Sequence, residues 1–257
     1  MKAILPLLLA GTTMAACQTA PAANAGFLSR YDGLTEQENT LRASIRERRD
    51  EALASAVDRV NLEPATFVGS VDEGLSEEER RMVLREVDRQ VCYEVSERFT
   101  LVPPGPDVAR LRVGVVDIGT TGAAGSGVAA VANILIPGPG TLRVPGTTGG
   151  LAAEAELLNQ QGQQVAALAW ARDANVVGTD APSLSRVGDA LQMAEPFGDA
   201  VGDAISPTER PVRPIADPDP CVAYGPRTQA AGFLTRLVTG VYVPEVNTGS
   251  RRDTQSE

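Results

Sequence analysis

Two apolar segments that meet across a short turn constrain this chain more than any other feature. Leu151 to Leu158 (LAAEAELL) and Val165 to Ala171 (VAALAWA) flank Asn159-Gln160-Gln161-Gly162. A glycine at that point supplies the left-handed conformation such turns require, so the stretch reads as an antiparallel hairpin. Side chains alternate across a strand, so Glu154 and Glu156 share one face, opposite Ala153, Ala155 and Leu157. Carboxylates alternating with apolar residues predict a solvated outer face over a buried inner one. Trp170, the single tryptophan, is expected to pack in the core or against the sheet.

Around this hairpin the chain divides into further elements. Thr35 to Glu38 (TEQE) has the form of a capping box, and Leu41, Ile45, Ala52, Leu53, Ala56 and Val57 follow at loosely helical spacing, which predicts a first helix. Its Arg42, Arg46, Arg48 and Arg49 interleave with Glu47, Asp50 and Glu51, a pattern expected of a solvated salt-bridged face rather than a nucleic-acid patch. Val60 to Val68 reads as a strand that Pro64 confines to an edge or a bulge. Ser76 to Glu79 (SEEE) opens a second helix with Val83, Val87 and Val91 on one side. Phe99 to Val102 and Ala109 to Ile118 are strands, separated by the stiff turn from Pro103 to Asp107. A Gly/Ala-rich insertion, Gly119 to Gly150, precedes the hairpin, its glycines expected to act as hinges. A third helix is expected from about Ser183 to Ile205, kinked or interrupted at Pro196. These elements predict an α+β domain of two layers, with helices packed on one face of an antiparallel or mixed sheet.

Composition excludes whole classes of chemistry. The 257 residues contain no histidine, and Lys2 is the sole lysine. Histidine-based nucleophile systems, histidine-ligated metals, Schiff-base lysines and the lysine of a phosphate-binding loop are all missing. No catalytic residue, metal or cofactor is assigned. The net charge of −10 gains nothing from counterion release, so nucleic acid is not an expected partner. The fragment Gly125-Ser126-Gly127 lacks the context of a dinucleotide loop, and Asp217-Pro218-Asp219-Pro220 reads as a stiff linker rather than a calcium site.

Lys2 and the apolar run Ala3 to Ala10 precede Met14-Ala15-Ala16-Cys17, which resembles a bacterial lipobox. The apolar run is too short to span a membrane and reads as an export signal. The resemblance implies cleavage before Cys17 and acylation of its sulfur and new amine, and Gln18 favours the outer membrane by analogy with lipoprotein sorting. The expected organisation is a signal peptide over 1–16, a lipidated tether over 17–26, an α+β lipoprotein domain over 27–205 and an irregular extension with a short apolar patch over 206–257. With Cys17 acylated, Cys92 and Cys221 are the remaining thiols; a bridge between them is favoured in an oxidising compartment, and two buried reduced thiols are the alternative.

Gly26-Phe27-Leu28-Ser29, Leu101 to Ile118 and Glu154 to Asp173 together resemble the bacterial lipoprotein family known as domain of unknown function 3313. The likeness covers roughly Gly26 to Ile205. It implies compartment and architecture and brings no activity with it.

The expected function is that of a non-enzymatic binding or envelope-assembly module on the periplasmic face of the outer membrane, held by its lipid and meeting an envelope protein. The alternative is a periplasmic hydrolase using carboxylates alone, with Glu154 and Glu156 as its candidates. The expected partner-binding element is the apolar run inside the insertion, with Val128, Val131, Ile134, Leu135 and Ile136; the alternative is a small helix that closes the sheet's open face. That run is about half the length of a membrane span and too apolar for a simple linker.

Overall fold

The computed structural model describes residues 24–247 apart from 39, 41, 72, 123–124, 126–140, 145, 179 and 228. Cys17 and the run from Val128 to Ile136 lie outside the described residues. The strands are β1 (Thr35–Glu36), β2 (Ala43–Arg49), β3 (Arg59–Leu62), β4 (Thr66–Phe67), β5 (Thr100–Leu101), β6 (Ala109–Gly119), β7 (Thr141–Leu142), β8 (Gly150–Leu158), β9 (Gln164–Asp173) and β10 (Val177–Gly178). The helices are α1 (Glu51–Ser55), α2 (Glu77–Ser96), α3 (Gly188–Ile205), α4 (Ala230–Thr239) and α5 (Pro244–Asn247). The main sheet runs β1-β2-β9-β8-β6-β3-β5, with β4 also on β6. Pairing is antiparallel from β1 to β6 and parallel from β6 through β3 to β5, so the sheet is mixed. Helices α2 and α3 pack on one face, which gives the two-layer α+β architecture.

The hairpin β8–β9 is the centre of this arrangement. It turns where expected, with Gly162 at φ +76°, and Asn159 Oδ1 accepts from the backbone amides of Gln161 and Gln163. On the helix side Ala153, Ala155 and Leu157 join Leu168 and Trp170 in the core. The Trp170 ring lies 5.5 Å from that of Phe197 on α3, centroid to centroid. Helix α2 starts at the expected capping box: Glu79 N donates to Ser76 Oγ at 3.2 Å, and Ser76 N donates to Glu79 Oε2 at 2.7 Å. Its Val83, Val87, Val91 and Val95 are all buried. Helix α3 comes close to α2 because Ala194, Gly198 and Gly202 recur every fourth residue. A Cβ on Gly198 would stand 2.9 Å from the carbonyl carbon of Gln90.

Three sequence expectations are corrected. The helix read from the Thr35–Glu38 capping box is sheet: β1 pairs with β2, and β2 pairs with β9 over seven residues. Ile45 faces the core opposite Trp170, and the arginines interleaved with acids follow strand alternation. A thin apolar stripe yields to a full ladder of sheet hydrogen bonds. Only Glu51–Ser55 of that stretch is helical, capped by Asp50, whose Oδ1 accepts from Leu53 N. The face bearing Glu154 and Glu156 is not solvated; both side chains are completely buried. At the stem of the insertion, Gly119, Gly122, Gly149 and Gly150 pack rather than swing. Gly119 pairs with Gly150, and a Cβ on Gly149 would strike the Gly119 carbonyl.

Pro64 breaks its strand into β3 and β4, both paired to β6. Ala65 N, left without a ladder partner at this break, donates to Asp88 Oδ1 of α2 at 2.8 Å. Burial raises the Asp88 carboxyl from 3.8 to about 6 against that hydrogen bond.

Beyond α3 the chain doubles back along α2. Arg213 N donates to Glu97 O, and Arg210 donates to the carbonyls of Val57 and Arg98 with its guanidinium 4.3 Å from the Phe99 ring centroid. Cys221 is bonded to Cys92, closing 129 residues of sequence. The apolar patch of the C-terminal extension is helical, forming α4.

Two outcomes follow for stability. The folded pKa of Asp88 lies above its unfolded value, so the native state binds the extra proton and stability falls as pH rises from about 4 through 6. Asp88→Asn keeps the acceptor for Ala65, so its stability relative to the parent should grow by about 2–3 kcal/mol between pH 4 and 8 in urea titrations. Cys92→Ser should lower stability by up to about 5 kcal/mol through restored loop entropy. It should also release the segment after 206 to proteolysis, while unreduced, denatured parent protein shows no thiol from this pair.

Candidate functional site

The three stretches that carry the family resemblance converge on the helix-free face of the sheet. Across it, register aligns Arg48, Ala167, Glu156 and Arg112 in one row and Arg46, Ala169, Glu154 and Gly114 in the next. Glu156 Oε1 accepts from Arg112 Nη1 at 2.7 Å. Its Oε2 accepts from Ser29 N at 2.9 Å, Ser29 Oγ at 2.7 Å and Gln164 Nε2 at 2.9 Å. Glu154 Oε2 accepts from the Tyr31 hydroxyl at 2.6 Å, and Oε1 from Ala25 N at 3.4 Å. The Tyr31 oxygen in turn accepts from three consecutive amides, Gly26, Phe27 and Leu28, at 2.7, 2.9 and 3.2 Å. Burial, then the contact with Glu154, pushes the Tyr31 hydroxyl up, so it stays protonated and donates.

Phe27 completes this clasp. Its ring lies on Gly114, where a Cβ would come within 2.7 Å of the ring, and the Arg112 guanidinium stands 4.8 Å from the ring centroid. Residues 24–26, expected to be tether, touch the domain: the Ala25 amide donates to Glu154, the Gly26 amide to Tyr31, and Asn24 Oδ1 accepts from Arg46. Glu154 and Glu156 are brought together as the sequence indicated, but their oxygens are taken by structural donors. Arg112 pairs with Glu156, while Arg110 on the same strand pairs with Glu63.

A second polar constellation closes the stem of the insertion. Asp189, in the first turn of α3, accepts from Arg143 Nη2 at 2.8 Å and from Gly149 N at 2.7 Å. Its own amide donates to Thr121 Oγ1. Both strands of the stem are thus tied to one helix N-terminus, where a carboxylate is favourably placed.

A concavity lies on the other, helix-bearing side of the molecule. It is a cleft of about 550 Å³ between α2, α3 and the C-terminal extension, lined by Glu86, Arg89, Gln192, Phe233, Arg236 and Tyr242 among others. Glu86 and Arg89 form a buried pair, with Arg89 Nε donating to Glu86 Oε2 at 2.8 Å and Gln90 Nε2 to Oε1 at 2.7 Å. Burial raises the Glu86 carboxyl against these donors. Along the rim, Asp199 is raised to about 6 by burial and by Glu94, Glu195 and Asp203. Beside the cleft, α4 leaves Phe233, Leu234, Leu237 and Val238 exposed. Among the described residues, no group of three or more His, Cys, Asp or Glu side chains is placed to hold a metal ion. Nor is any helix there long and apolar enough to cross a membrane. The apolar patch is visible in the sequence, whereas its helix and the cleft are not; Gly240 after Phe233-Leu234-Thr235-Arg236-Leu237-Val238 is the stop signal that marks that helix.

Fold and clasp together define a two-layer α+β domain closed on its helix-free face by its own N-terminal segment. The chain belongs to the family described as Protein of unknown function (DUF3313), whose model matches residues 23–201. None of the curated proteins compared with the chain matches it. Among solved structures, the PelC dodecamer from Paraburkholderia phytofirmans is similar at 10% identity and a TM-score of 0.37, over 66% of this chain and 99% of that one. A variant of the same dodecamer gives 10% identity and a TM-score of 0.35, over 62% and 97%. Likeness at this level assigns nothing to the present chain. The family match ends inside α3, so α4 and the extension that carries it fall outside it.

Tyr31→Phe should strip Glu154 of its closest donor and leave three amides without their acceptor, a loss of about 3 kcal/mol. Ser29→Ala removes one of four donors to Glu156 and should cost about 1 kcal/mol. Urea unfolding followed by Trp170 fluorescence measures both.

Proposed function

We propose that this protein is a lipid-anchored envelope protein that binds a partner rather than transforming a substrate. The observation that carries the binding reading is the state of Glu154 and Glu156. The carboxylates best placed by sequence to act as acid and base are fully buried and hold the clasp together. The surfaces left open are a cleft of mixed charge and an apolar helix, features suited to recognition.

Anchoring rests on the lipobox-like Met14-Ala15-Ala16-Cys17. Asn24 lies seven residue steps beyond Cys17, a reach of about 25 Å at 3.3–3.6 Å per residue. In this reading the helix-free face looks toward the outer membrane from its periplasmic side, and α4 and the cleft look away from it. Replacing Cys17 with Ala should abolish metabolic acyl labelling and move the protein from the membrane to the soluble fraction, or leave uncleaved precursor. Unchanged acylation and fractionation would refute the anchor.

A further inference from the structure

Helix α4 is built inside out. At 100° per residue, Ala230, Ala231, Phe233, Leu234, Leu237 and Val238 cover an arc of about 160°, with Gly232, Thr235, Arg236 and Thr239 on the remainder. The glycine is the side that docks: Gly232 is buried, and a Cβ there would stand 2.5 Å from Asn247 Oδ1. Thr235 and Thr239 satisfy their hydroxyls on carbonyls of their own helix, Ala231 and Thr235. The apolar arc faces outward, with Phe233 61%, Leu234 58%, Leu237 69% and Val238 79% exposed.

We propose that this arc is a self-association surface, on which α4 of one copy packs against α4 of a second about a two-fold axis. Area is the first argument. The four large side chains offer roughly 500 Å² per copy, so pairing can bury up to roughly 1,000 Å² in total, the lower bound for a specific interface. Shape is the second: Phe233 with Leu237, and Leu234 with Val238, form adjacent i, i+4 ridges that interdigitate with an identical set at helix separations of about 8–10 Å. Charge is the third. The chain as a whole carries −10, and two copies repel wherever acidic surfaces meet. Helix α4 has no acidic residue, and its single charge, Arg236, lies about 140° from the centre of the arc and lines the cleft. A two-fold through the arc therefore brings neither carboxylates nor guanidinium groups into opposition. The anchoring bilayer is not the occupant, because α4 and the N-terminal clasp lie on opposite sides of the two layers; this step alone rests on the lipid-anchored reading.

Light scattering during size-exclusion chromatography of the purified full chain in detergent, with protein mass separated from detergent mass, tests the proposal. The parent should run at twice the chain mass at about 10–100 μM, and Leu234→Glu with Leu237→Glu should weaken association at least about 100-fold. Both positions are exposed, so the double variant should keep the parent's circular dichroism and melting temperature. A second readout is Leu234→Cys, which should give a crosslinked dimer on mild oxidation. A monomeric parent throughout this range, or a dimer that survives the double substitution, would overturn the proposal. So would flotation of the Cys17→Ala chain with lipid vesicles that is lost in the double variant, which would make a membrane the occupant. Failure of the anchor leaves the dimer intact, and failure of the dimer leaves acylation intact, so the two readings fall separately.

Discussion

Glu154 and Glu156 lie fully buried in a central strand, so the sheet is stable only if donors are delivered to four carboxylate oxygens away from water. No single element can deliver them. Arg112 comes from β6, Gln164 from the start of β9, and Ser29, Tyr31 and the Ala25 amide from the chain ahead of β1. Strand order, the missing side chain at Gly114 and the seat of Phe27 all serve this requirement. Well-packed apolar residues often equal a buried ion pair in stability, so the gain is better sought in register. A slip of β8 by one residue would turn both glutamates into the helix-packed core and take Glu156 away from Arg112. The pair thereby fixes the alignment of a hairpin whose alanines would otherwise fit several.

The near absence of lysine and histidine has a structural counterpart. Long-range polar ties are made by planar guanidinium groups that each engage several acceptors. Arg227 alone joins Asp219, Ser96 and Glu97 and lies 4.4 Å from the centroid of the Tyr93 ring. Arg49 bonds Glu51 at the start of α1 and the carbonyls of Asp203 and Ala204 at the end of α3. An ammonium group offers neither the fork nor the flat face for stacking. Loops with little apolar surface are held in this way.

The parts of the fold that were legible in sequence are those where local chemistry and tertiary context agree. The β8–β9 turn at Gly162, the Ser76 capping box, the valine stripe of α2 and the break at Pro64 are local signals that packing reinforces. Residues 35–49 mislead because Thr35-Glu36-Gln37-Glu38 copies a capping box, while the decisive interaction is a ladder to β9 more than a hundred residues away. The glutamate face misleads for a related reason. Alternation predicts two faces but not what covers them, and its cover is a stretch whose composition reads as a tether. The motif Gly26-Phe27-Leu28-Ser29 pointed at this face through resemblance, and its physical meaning emerges only when Phe27 is seen on Gly114 and Ser29 on Glu156.

The C-terminal extension shows how a helix can be kept folded without using its apolar side. Ten residues are too few to hold a helix in water unaided. Here the ordering is supplied at the ends. The Cys92–Cys221 bond and Arg227 fix the approach, Gly240 closes the helix in the left-handed conformation, and Tyr242 is bound on both backbone groups by Pro182 and Ser183. Tyr242 itself is buried against the core. Because these fastenings lie outside the helix, substitutions along the outer arc are free of any demand from folding. Phe233, Leu234, Leu237 and Val238 therefore stay exposed without cost to the fastenings that order the helix, and the proposed dimer would cover them.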